Sequence, residues 1–84
     1  MAIYSAQITV TTSPTLLVAA DMQAEEVHLH SSTGQCFLGT SDVTITTGYR
    51  MDNGDKLTFQ NHETAIYAIT ATGTNTMNVL VITK

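Results

Sequence analysis

Apolar and polar residues alternate with a period of two along most of this chain, the spacing of a half-buried β-strand. Residues 3–11 (IYSAQITVT) place Ala6, Ile8 and Val10 on one face and Gln7, Thr9 and Thr11 on the other. Thr12-Ser13-Pro14 ends that strand, because Pro14 has no N–H and holds Ser13 extended. Residues 15–19 (TLLVA) predict a second short strand. Residues 19–27 (AADMQAEEV) come closest to a helical pattern; Asp21 could cap one turn, but the stretch is too short for a stable helix. Residues 26–31 predict a third strand with Val27 and Leu29 inward and Glu26, His28 and His30 outward. After the turn cluster Ser31-Ser32-Thr33-Gly34, residues 35–39 (QCFLG) predict a fourth strand that pairs with the third as a hairpin. Cys36 and Leu38 would face one layer and Phe37 the other. Gly39 would end it, through a positive φ or a close approach.

In residues 40–47 (TSDVTITT) the alternation of Val43 and Ile45 predicts an edge strand. Gly48-Tyr49-Arg50-Met51 leads into Asp52-Asn53-Gly54-Asp55, whose Asn-Gly pair is the strongest turn signal in the chain. Residues 56–60 (KLTFQ) put Leu57 and Phe59 toward the core, and 61–64 read as a loop. Residues 65–70 and 76–83 predict the last two strands, flanking a turn at 71–75. The final strand is apolar on both faces, so it is either central or covered by a neighbouring subunit. Seven or eight short strands with turns every ~8–12 residues predict an all-β fold, a small antiparallel β-sandwich or jelly-roll-like barrel. Residues 1–84 make a single domain, with 1–12 an extended N-terminal arm or edge strand.

Composition sharpens this reading. Sixteen threonines favour pleated, half-buried surfaces. Three basic residues against seven acidic, a net charge of −4, leave no basic stripe for a phosphate backbone, so no nucleic-acid partner is expected. No apolar run reaches the ~18 residues of a membrane helix, and MAIYSAQITV lacks the features of a signal peptide. The expectation is a protein made in a cytoplasm, with no membrane partner. The lone Cys36 forbids an internal disulfide and fits a reducing compartment. In a chain of 84 residues, apolar burial and conformational entropy nearly cancel, which makes association with further copies the expected remedy.

Candidate chemistry is thin. Glu26, His28 and His30 share one strand face, and imidazoles with a carboxylate are transition-metal ligands. No fourth ligand is specified, so a solvated or intersubunit face is the stronger reading. His62 reads as a loop surface residue. Cys36, in an apolar strand, reads as a buried small hydrophobe with no base or orienter to make it a nucleophile. Asp42, Asp52, Asn53 and Asp55 lack the spacing and closing Glu of a calcium loop, and the glycines precede no helix that could bind phosphate. No catalytic residue and no cofactor is predicted. Tyr49 and Arg50 are of the types enriched at interface anchors. With Ile3, Tyr4, Ile8, Leu80 and Ile82 they form the predicted interface set.

The segments Val27-His28-Leu29-His30, Cys36-Phe37-Leu38-Gly39, Asp42-Val43-Thr44, Gly48-Tyr49, Asn53-Gly54-Asp55-Lys56-Leu57-Thr58-Phe59, Ala65-Ile66-Tyr67-Ala68-Ile69 and Ala71-Thr72-Gly73-Thr74 occur in that order. This series resembles a group of small structural proteins of tailed bacteriophage virions, over roughly residue 23 to the C-terminus. It departs from the group's pattern at Arg50, where Pro is frequent. The resemblance rests on fold-forming positions. It implies a β-sandwich or jelly-roll-like subunit of the virion: a non-enzymatic capsid decoration (cement) protein bridging neighbouring capsid subunits. Its implied partners are the major capsid protein or other virion proteins, and further copies of itself, a trimer foremost. The alternative is a head- or tail-fibre module that binds a host-surface glycan or receptor. That function needs an exposed aromatic platform, for which the chain offers Tyr4, Tyr49 and Tyr67 and no Trp.

Overall fold

In the computed structural model, residues 2–19, 24–60 and 65–83 are described. They form eight strands: β1 (Ala2–Val10), β2 (Thr15–Val18), β3 (Ala24–Ser31), β4 (Cys36–Gly39), β5 (Tyr49–Met51), β6 (Lys56–Gln60), β7 (Ile66–Ile69) and β8 (Asn75–Thr83). Two four-stranded sheets result, in the orders β1-β8-β3-β6 and β2-β7-β4-β5, with every pairing antiparallel. The pairs β1:β8, β2:β7, β3:β6 and β4:β5 are the successive rungs of one long hairpin folded at the β4–β5 connection. Rolling that hairpin up brings β8 beside β3 and β7 beside β4 and closes the two sheets. This is the connectivity of an eight-stranded jelly roll.

The alternation seen in the sequence becomes the partition between core and surface. Val10, Val27, Leu29, Met77, Val79 and Val81 line the inner face of the first sheet. Leu17, Val18, Cys36, Leu38, Met51, Ile66 and Ala68 oppose them from the second. Ile8, Leu57 and Phe59 pack around the margin. The central strand β8 is buried at every second residue, and its other face, Asn78, Leu80 and Ile82, is half-buried by cross-strand neighbours. The folded chain exposes 4812 Å², close to the ~4,900 Å² expected of a monomer this size. One copy therefore closes its own core, and a partner would add burial without completing it.

Three local expectations are corrected. β3 and β4 are not a hairpin: β3 lies in the first sheet and β4 in the second, so 32–35 arches between layers. The turn after β7 likewise crosses from one sheet to the other. β3 starts at Ala24, two residues before the expected Glu26, while Asp21 lies outside the described residues, as does His62. Residues 40–47 form turns in place of an edge strand. There Thr44 N–H donates to Thr47 Oγ1 (3.1 Å), Thr47 N–H donates to Thr44 Oγ1 (3.2 Å), and Gly48 N–H donates to the Thr44 carbonyl (2.8 Å). Threonine hydroxyls thus take the backbone groups that a strand ladder would need. Val43 turns inward as a plug, 4% exposed, while Ile45 stays 48% exposed.

That plug explains two glycines. A Cβ on Gly39 would stand 2.7 Å from Val43 Cγ2, and one on Gly48 would stand 2.5 Å from Phe37 Cβ. Close approach decides both positions.

Candidate functional site: the open face of the first sheet and its β1 edge

Strand registers fix what the outer face of the β1-β8-β3-β6 sheet presents. One row across it is Ile3, Ile82, Glu26 and Gln60; the next is Ser5, Leu80, His28 and Thr58; the third is Gln7, Asn78, His30 and Lys56. The second and third rows line a shallow concavity of about 550 Å³. His28 Nδ1 lies 3.1 Å from Thr58 Oγ1, and its Nε2 lies 3.8 Å from Glu26 Oε2. Asn78 Nδ2 lies 3.3 Å from His30 Nδ1. In this contact the amide NH₂ donates and His30 Nδ1 accepts.

His28 and His30 do share a face, as their spacing predicts. Among the described residues, however, no group of three His, Cys, Asp or Glu side chains is gathered as a metal site would require. No helix among them is long and apolar enough to cross a membrane. No protein family, curated protein or solved structure matches the chain.

The predicted interface residues separate into distinct places. Ile3 and Ile82 are direct cross-strand partners on the outer face, with Leu80 in the next row. Ile3 is 63% exposed. Tyr4 has the opposite parity on β1 yet is 47% exposed, so at this end the inner face of β1 runs past its cover. Ile8 instead packs against the core from the margin, and it offers little surface to a partner. Tyr49 and Arg50 lie on β5, the edge of the other sheet. The Arg50 Nε donates to Asp52 Oδ1 at 2.9 Å, where Gln35 Nε2 also donates at 3.0 Å. The Gln35 hydrogen bond and then the Arg50 guanidinium hold the Asp52 carboxyl below its ordinary range. Arg50 is thereby engaged within its own chain.

β1 is the outer strand of its sheet, and among the described residues nothing pairs with its far side. Its nine residues keep an unbroken register with β8. They include no charge and no proline. Natural edges are ordinarily guarded by lysines, prolines or bulges, and β1 has none of these.

Periodicity did not reveal the buried polar pin below this face. Asn75 is 2% exposed; its Nδ2 donates to Ser31 Oγ (2.9 Å) and to the Gly34 carbonyl (3.0 Å). Its Oδ1 accepts from Thr33 N–H (3.2 Å) and Thr33 Oγ1 (2.7 Å). The pin ties the arch between β3 and β4 to the start of β8. Cys36 lies beside it, fully buried; burial pushes its thiol pKa up, while hydrogen bonds from Ser31 and Asn75 act in the opposite direction. A buried, protonated thiol with no base beside it is a packing group.

Proposed function

We propose that this protein is a non-enzymatic structural subunit of a tailed-phage virion, a decoration or cement protein that stabilises the head by bridging neighbouring capsid subunits. The observation that supports this reading most directly is the unguarded β1 edge, nine residues long with Ile3 and Tyr4 exposed. Such an edge binds by strand addition: a neighbour's extended segment takes up the free N–H and C=O groups, and Ile3 and Tyr4 supply apolar contact on either face. Partners are the major capsid protein or other virion proteins and further copies of this chain, in a closed ring such as a trimer. The work is mechanical: contact energy spread across adjacent shell subunits opposes their separation, and no bond is made or broken.

The fibre-module alternative needs exposed aromatics grouped on one surface. Tyr4 and Tyr49 lie on edge strands of different sheets, which does not favour it. Mass spectrometry of purified particles of the phage encoding this chain tests the proposal. The expected result is the chain present in stable, many-copy proportion to the shell protein; its absence from washed particles overturns the proposal.

A further inference from the structure

Beyond assembly, the concavity on the outer face of the first sheet has the chemistry of a binding site. Its third row, Gln7-Asn78-His30-Lys56, contains no carboxylate although the chain has more than twice as many acidic as basic residues. Lys56 and His30 are direct cross-strand partners, so their side chains start about 5 Å apart. Arg50 is paired with Asp52, whereas Lys56 has no acidic partner among the described residues. Charges facing this surface from the other strands are few. β1 contributes Ser5 and Gln7, β8 contributes Asn78 and Leu80, and β3 contributes His28 and Glu26, with Glu26 already beside His28. The second and third rows therefore place an ammonium, imidazoles, amides and hydroxyls around one concavity, and Glu26, the facing acid among the described residues, lies in the row beyond His28.

We propose that this concavity binds an anionic oxygen group, a carboxylate or a phosphate, with Lys56 as the fixed charge. His30 adds a second donor, and Gln7, Asn78 and Thr58 fix orientation. Charge-assisted bonds from Lys56 to such a group are stronger than those between neutral partners. The site lies on the open face and not on the β1 edge, so it stands or falls independently of the assembly proposal.

The test is titration of the isolated chain with inorganic phosphate, and separately with acetate, at constant ionic strength, followed by NMR. Saturable shifts of the His28, His30 and Lys56 signals are expected. The anion that saturates first identifies which oxygen group the site prefers. Lys56→Met should weaken binding about tenfold, the loss of one charge-assisted hydrogen bond, while Lys56→Arg retains it and Arg50→Met leaves it unchanged. Lys56 is exposed, so the variants keep the fold, and their unchanged amide spectra outside the concavity check this. Non-saturating shifts, equal shifts in Lys56→Met, or a response to zinc with none to either anion would overturn the proposal.

Discussion

At the scale of single residues, a few side chains carry obligations that their type alone does not announce. Asn75 holds the arch to β8 through four hydrogen bonds made by one amide. Asn75→Ala removes all four bonds, leaves the buried Ser31 hydroxyl with only the Gly34 carbonyl as partner, and should cost about 1–3 kcal/mol in urea denaturation. Gly48→Ala drives a Cβ into Phe37 and the Thr44 carbonyl, with an expected loss of about 1–3 kcal/mol. Gly34→Ala meets open space and should fall within about 0.5 kcal/mol of the parent. A similar loss in both glycine variants would remove the close-packing explanation for Gly48. Because the folded-state pKa of Asp52 is depressed, its contribution is complete above the ordinary carboxylate range. That contribution fades as pH falls through the lower folded value. An NMR titration should therefore place the Asp52 midpoint below that of an unstructured aspartate, and Arg50→Met should move it upward. The side chain is exposed, so the global stability should scarcely register the change.

At the scale of elements, the sequence showed where strands lie far better than which strands meet. Residues 3–11, 56–60 and 76–83 alternate so strongly that β1, β6 and β8 follow directly, and the two apolar faces of β8 left a central place as one of two readings. Pairing was illegible for a physical reason. Short turns such as 32–35 suit a hairpin or an arch between layers equally well, and the Asn75 bonds that hold this arch come from a distant segment. The alternation of Val43 and Ile45 misled because local threonine hydroxyl bonds outcompete a ladder there. The open face was legible in part: His28 and His30 share it by spacing alone. Lys56, Asn78 and Gln7 join them only through the β3:β6, β3:β8 and β1:β8 registers, which join segments far apart in the chain. The β1 edge makes its own prediction. Ile3→Lys puts a charge on an exposed position and should leave monomer stability within about 0.5 kcal/mol while suppressing association. If that variant unfolds, Ile3 is part of the fold and not of a docking edge.

At the scale of the whole molecule, a jelly roll joins its first strand to its last, so its contacts are dominated by residues far apart in sequence. Such a topology predicts refolding in milliseconds to seconds, measurable by stopped-flow fluorescence of the tyrosines. The finished body measures about 37 × 23 × 16 Å and closes its own core. Among the described residues its longest edge strand is the uncharged β1. On the proposed reading, that edge is where neighbouring subunits attach. Sedimentation velocity of the purified chain over a wide concentration range, beside Ile3→Lys, tests this most directly. The account predicts a closed oligomer, a trimer foremost, for the parent and a folded monomer for the variant. A parent chain that sediments as a monomer at every concentration, or a variant that assembles as well as the parent, would contradict it.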